Sequence, residues 1–229
     1  MFARAGLLPR TLARPLYTQA SYRFSTSSRI MTHSSLTEAI KEDHQEMYEY
    51  YDEYKRAKES ADVDSQARWA RQLTWEVARH AVGEEIVVYP LMEKHMGEQG
   101  KKLADEDRDQ HQHVKELLYH LESLTAGQPE YHQTLEKVMA HLKPHNDSEE
   151  QNDLPALEPL IGAEGSKAAA AQFSRTKKFA PTRAHPSAPN KPPFETLVGL
   201  LAAPLDKLLD AFAKFPTEEM KEEAEKHQH

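Results

Sequence analysis

No cysteine occurs anywhere in the 229 residues. That absence excludes a disulfide framework, a thiolate metal site and a cysteine nucleophile, so any metal must be held by nitrogen and oxygen. No apolar run approaches the roughly 18 to 20 residues that a spanning helix needs, and no transmembrane segment is indicated. Basic residues are outnumbered, 29 against 37 acidic ones, for a net charge of −8. An acidic chain without clustered Lys and Arg argues against nucleic acid as a partner. There is no Gly-rich phosphate loop and no G-x-S-x-G, so nothing speaks for a nucleotide or a serine nucleophile. Histidine is present in quantity, 13 residues in all.

The length suits one domain with a core plus appendages. Residues 1–30, MFARAGLLPRTLARPLYTQASYRFSTSSRI, contain five Arg and seven Ser or Thr, and the first acidic residue of the chain is Glu38. A basic, Ser-rich, acid-free start has the composition of a mitochondrial transit peptide, cleaved near Phe24 to Arg29. The alternative is a cytoplasmic form that begins at Met31.

Four helical periods follow. Leu36, Ile40, Met47 and Tyr51 share a stripe with His44. Trp69, Leu73, Val77, Ala81 and Val88 share one with His80 and Glu84, and GEQG at 97–100 should end that helix. The third period runs through Ala104, Val114, Leu118 and Leu121 around His111 and ends near TAGQPE. The fourth uses Leu135, Val138 and Leu142, with His145 and Glu149 next on the stripe; Pro144 should kink it or mark its start. The expected fold is all-α: an antiparallel up-down four-helix bundle over 35–160. Residues 161–229 read as a Pro/Ala-rich linker or wrapping segment and a short amphipathic terminal helix. That helix carries Leu205, Leu208, Leu209 and Phe212 at i, i+3, i+4, i+7. It can dock on the bundle, meet a protein partner or touch a membrane.

HAVGEEIVVYPLME at 80–93 returns as HNDSEEQNDLPALE at 145–158, both H-x-x-x-E-E-x-x-x-x-P-x-[LM]-E. DHQEM around His44 and QHQHV around His111 are a second echoed pair. H-x-x-x-E on a helix sets both side chains on one face, one turn apart, which suits chelation of one cation. A single copy is equally a solvated helix face. Four imidazoles and two carboxylates on apolar stripes are different, because burying them without partners costs several kcal/mol. Two carboxylates can bridge a metal pair while imidazoles fill terminal positions. Ligation by N and O suits iron, manganese or zinc, and carboxylate-bridged pairs in helical bundles favour iron. Glu85 and Glu150, beside the bridges, read as solvated or as holding an imidazole N–H. His141 reads as a surface residue or a fifth imidazole, Tyr48 as a cap or a packing residue. His113, His120 and His132 read as surface residues, the terminal HQH as a lone short tract with no partner, and no proton donor is obvious beyond the ligands.

His44, H-x-x-x-E at 80–84, His111 and H-x-x-x-E at 145–149, in that order on four helices, resemble the hemerythrin-like HHE cation-binding domain. The tail HPSAPNKPPFETLVGLLAAPLDKLLDAFAKFP resembles an extension of fungal members. The resemblance implies two non-haem Fe ions held by His44, His80, Glu84, His111, His145 and Glu149, with Glu84 and Glu149 as bridges. Animal oxygen carriers of the family use a fifth His and an aspartate for the second glutamate; their H-x-x-x-H on helix three is absent here. A protein that binds or senses O2 or NO, or handles iron, is the function implied. A di-iron peroxidase or NO-detoxifying enzyme, and an iron-centre repair or iron-responsive regulator, are the alternatives.

Overall fold

The computed structural model describes residues 33–191 and 194–228. The transit-peptide expectation for 1–30 lies outside the described residues. Helix α1, Leu36–Glu59, starts at Ser35, whose side chain accepts from the Glu38 amide, while Ser34 Oγ donates to the Glu38 carboxylate. Asp62 caps helix α2, Val63–Glu122, in the same way through the Ser65 amide.

Helix α2 is two bundle helices in one run. The break is at Gly97, where φ is +62°, and the two arms fold back so that Arg108 meets Glu93 and His111 meets Tyr89. Gly100 permits the close turn: a Cβ there would stand 2.1 Å from the Met92 carbonyl oxygen. The GEQG stretch therefore reverses the chain, as its composition requires.

The fourth bundle helix is composite. Helix α3, Pro129–Ser148, passes through Pro144 without restarting, since the residue whose carbonyl loses a donor, Ala140, is exposed to water. The irregularity comes later, as a π-turn at Glu149–Asp153 in which the Leu154 amide donates to the Glu149 carbonyl. Pro155, lacking an N–H, follows directly. Helix α4, Leu154–Lys177, continues the line and breaks at Gly162 (φ +70°).

Beyond that break the structure follows the wrapping alternative rather than the linker. Residues 163–177 are helical and seated, with Ala169, Ala170, Phe173 and Lys177 buried. The alanine run supplies helix propensity and a flat face for close approach. Two further helices follow, α5 (Phe194–Asp210) and α6 (Glu218–His227), where one was expected. His227 is not without a partner, because its Nδ1 lies 3.1 Å from Glu53 Oε1. His132 Nδ1 likewise pairs with the Tyr54 hydroxyl.

The apolar interior forms two clusters. One gathers Met47, Leu73, Leu118, Leu135 and Leu142; the other gathers Leu36, Ile40, Val88, Met92, Leu157 and Phe173. Each covers side chains that would otherwise expose about 1.5–3 kcal/mol of apolar surface apiece. His44, His80, Glu84, His111, His145 and Glu149 are all buried, at positions on these helices that lie between the two clusters.

Candidate metal centre

The helical spacing delivers each H-x-x-x-E pair to one face, and antiparallel packing brings the faces together. His44, His80, Glu84 and Glu149 each place a ligand atom within 4.8 Å of the others, and Glu84, His111 and His145 do the same. Thus all six residues expected from the sequence are in one buried place. His44 Nε2 lies 3.1 Å from His80 Nε2, and His111 Nε2 lies 2.9 Å from His145 Nε2. The carboxylates span the two imidazole pairs. Glu84 stands 3.0 Å from His80 and 3.4 Å from His111; Glu149 stands 3.7 Å from His44 and 3.5 Å from His145.

The outer nitrogens explain the inner ones. His44 Nδ1 meets Glu150 at 2.9 Å, His80 Nδ1 meets Asp43 at 3.0 Å, His111 Nδ1 meets Glu85 at 3.1 Å and His145 Nδ1 meets Gln110 Oε1 at 3.1 Å. Every partner is an oxygen that accepts, so every Nδ1 donates and each neutral ring turns an Nε2 lone pair inward. Two lone pairs about 3 Å apart repel unless a proton or a cation lies between them. Both Glu84 oxygens and Glu149 Oε2 are buried without a hydrogen bond. A buried polar set left open in this way fits a cation.

The partners follow the sequence repeat. The second glutamate of each E-E doublet, Glu85 or Glu150, holds the lone histidine of another helix, His111 or His44. The residue just before each lone histidine, Asp43 or Gln110, holds the histidine of an H-x-x-x-E pair. Lysines neutralise the outer acids: Lys115 Nζ donates to both Glu85 oxygens at 2.7 and 2.6 Å, Lys41 lies 3.2 Å from Glu150, and Lys177 donates to Asp43 and Glu76. Lys177 comes from the distal arm of α4, whose Phe173 ring stands edge-on to His80 at 5.6 Å between centroids. Gly83 makes room for it, since a Cβ there would lie 2.7 Å from that ring.

Protons compete with a cation for these atoms. Burial opposes charge on His80, yet Glu84 and Asp43 beside it prevail and raise it to about 9. His111 is raised for the same reason by Glu84 and Glu85, against burial. His44, buried and beside His80, falls to about 4. Burial and the neighbouring Glu84 charge push Glu149 well above the usual carboxylate range.

One residue at the centre escapes a reading of the repeat as ligands alone. Tyr89 is fully buried, with its hydroxyl 3.2 Å from His111 Nε2 and donating to Glu149 Oε1 at 3.4 Å. A proton donor beyond the ligands, not obvious in the sequence, is therefore present at Tyr89. The signal was in the alignment of the copies, where Tyr89 stands opposite Leu154 and breaks the repeat. His141 lies outside the centre: it is exposed on α3, its ring 4.3 Å from that of His113. Tyr48 is half-buried, and its hydroxyl is enclosed without a hydrogen bond.

Residues 35–157, more than half of the chain, match the hemerythrin HHE cation-binding domain family. The chain belongs to the hemerythrin family. An uncharacterized hemerythrin-like protein of Schizosaccharomyces pombe is 50% identical over 181 residues, 79% of this chain and 88% of the relative. That span is longer than the hemerythrin domain itself, so the likeness extends into residues outside it. No solved structure matches. Among the described residues of this hemerythrin-family chain, the remaining acidic group that resembles a cation site, Asp43, Glu46 and Glu76, holds the Lys177 ammonium.

Proposed function

We propose that this chain is a non-haem di-iron protein that binds or senses O2 or NO. The observation that carries the reading is the pair of inward-facing Nε2 couples spanned by two buried carboxylates. His44 and His80 would hold one iron, His111 and His145 the other, with Glu84 and Glu149 shared between them. Imidazole with carboxylate ligation suits iron, manganese or zinc, and a carboxylate-spanned pair in a helical bundle favours iron. Two imidazoles and two carboxylates would not fill a six-coordinate shell at each ion, and that would leave room for a diatomic molecule.

Bound iron(II) supplies a reversible one- or two-electron exchange with such a molecule. The chain supplies the rest. Asp43, Glu85, Gln110 and Glu150 fix the ring orientations and strengthen the nitrogens as donors. Tyr89 offers an O–H next to Glu149, in a layer from which the two apolar clusters exclude water. Phe173 and Lys177 close the flank beside His80. Tyr89 also gives the enzyme reading, a peroxidase or NO-consuming activity, its one specific support, since turnover needs a proton source.

The test is the optical spectrum of the iron-loaded, anaerobically reduced full chain before and after admission of O2. A near-ultraviolet to visible charge-transfer band that fades on deoxygenation supports reversible binding. A band that persists, with consumption of peroxide or NO on repeated addition, replaces it with the enzyme. Failure to take up iron removes both.

A further inference from the structure

Helix α5 is packed the wrong way round for an amphipathic helix. Its small and acidic face is turned inward. Ala203 and Asp206 are buried, Asp206 accepting from the Thr182 and Arg183 amides at 3.0 and 3.1 Å and lying 3.0 Å from His185 Nε2. One turn on, Asp210 accepts from Arg71 at 2.8 Å and from Arg183 at 3.4 Å. The opposite side carries Leu201, Leu205, Leu208 and Leu209, which are 71%, 58%, 59% and 45% exposed, and Phe212, 83% exposed, follows in the turn beyond the helix end at Asp210. At about 100° per residue the four leucines fall within one stripe about 100° wide. Phe179, 65% exposed, extends the apolar surface, with Lys207 Nζ 5.9 Å from its ring centroid. Scattered exposed leucines need no explanation, but a contiguous stripe marks a binding surface.

The charges around the stripe select its occupant. Asp206 and Asp210, the acids of the last two turns of α5, are spent on the inner face. Lys207 and Lys178 are exposed, and the Lys207 ammonium donates to the Lys178 carbonyl at 3.0 Å, so both stand beside the outer one. A second copy of the chain would set these cations against their own kind. A groove-binding peptide needs a concavity, whereas a single helix standing on the surface presents a ridge. We propose that this stripe seats the protein on an anionic lipid bilayer, with α5 lying in the headgroup boundary and the basic residues against lipid phosphates. Among the described residues no helix is long and apolar enough to cross a membrane, so the contact is peripheral.

Sedimentation of the full chain with phosphatidylcholine vesicles, with and without phosphatidylglycerol, tests this. Binding should require the anionic lipid, vanish in Leu205→Asp/Leu208→Asp, and weaken at least about tenfold in Lys178→Glu/Lys207→Glu or on raising salt. The leucines are exposed, so helical content and metal content should not change. Vesicle binding that survives the leucine substitutions belongs to another segment, the basic first thirty residues included, and overturns the proposal. So does a parent that binds neither vesicle. A concentration-dependent dimer that dissociates on Leu205→Asp, without vesicle binding, assigns the stripe to self-association instead.

Discussion

The Lys115–Glu85–His111 chain separates two roles that a single substitution would confuse. Glu85 is fully buried, bonded by both oxygens to Lys115 and by one to the imidazole of His111. Glu85→Gln keeps the size and an oxygen for His111 Nδ1 but leaves the Lys115 ammonium, 10% exposed, facing an amide. Stranding one partner of a buried ion pair costs about 3–5 kcal/mol. That is a large part of the roughly 5–15 kcal/mol that holds a domain of this kind together. The imidazole also loses its anionic orienting group, for which a 10- to 100-fold drop in metal affinity is expected, about 1.4–2.7 kcal/mol. The double variant Glu85→Gln/Lys115→Met removes the stranded charge. Its stability, from chemical denaturation of the chelated protein, should return to within about 1–2 kcal/mol of the parent. Its metal affinity, from competition with a chromophoric chelator, should stay at the level of the single variant. A Glu85→Gln protein as stable as the parent would refute the buried-pair argument. A double variant with parental metal affinity would refute the orienting role of Glu85.

Other outcomes follow from the same geometry. Metal uptake at pH 7 should release protons from His80, His111 and Glu149, all raised above their ordinary values, so affinity should climb with pH until His80 has titrated near 9; calorimetry in buffers of different ionisation enthalpy reads this, and uptake without proton release contradicts it. Tyr89→Phe should leave metal content intact and alter the spectrum of the ligand-bound centre, and an unchanged spectrum would mean that the hydroxyl does not reach the bound molecule. Gly83→Ala sets a methyl 2.7 Å from the Phe173 ring and should destabilise the protein by about 1–3 kcal/mol, with protease cleavage appearing first within 163–177. Stability and cleavage unchanged from the parent would show that the arm does not bear on the centre.

The bundle was legible because its signal is local. His44, Glu84 and the leucines recur at the helical period, and Gly97 and Gly100 mark the reversal in a run of otherwise good helix formers. The helical arm 163–177 was not legible as part of the fold. Its alanines and basic residues resemble a tail until Phe173 finds the space at Gly83 and Lys177 finds Asp43 and Glu76. Those contacts join residues about a hundred positions apart, which no window along the chain contains. Helix α5 shows the converse. Its period announced an apolar face, but which face meets the bundle depends on whether burying leucine outweighs satisfying Arg71, Arg183 and two backbone amides. The acids prevail, and the leucines are left outside.

The centre itself divides along the same line. Its six inner residues could be read because two H-x-x-x-E pairs and two lone histidines fall on the apolar stripes of the bundle helices, and the doublets at 84–85 and 149–150 even showed one source of outer partners. Asp43 and Gln110 could not be assigned a role from spacing, since each acts on a histidine of another helix. Their placement nevertheless obeys the repeat: each precedes a lone histidine and serves the H-x-x-x-E histidine packed against it. A four-helix centre built twice from one pattern is symmetric in its inner residues, and two ions held by a symmetric set would be equivalent. Tyr89 against Leu154, and the carboxylate of Asp43 against the amide of Gln110, break that equivalence. The His80 side gains an anion and a lysine; the His111 side gains the Tyr89 hydroxyl. On the proposed di-iron reading, two ions held there would be hydrogen-bonded differently and so differ in potential, and a small molecule bound between them would meet the Tyr89 hydroxyl on the His111 side alone.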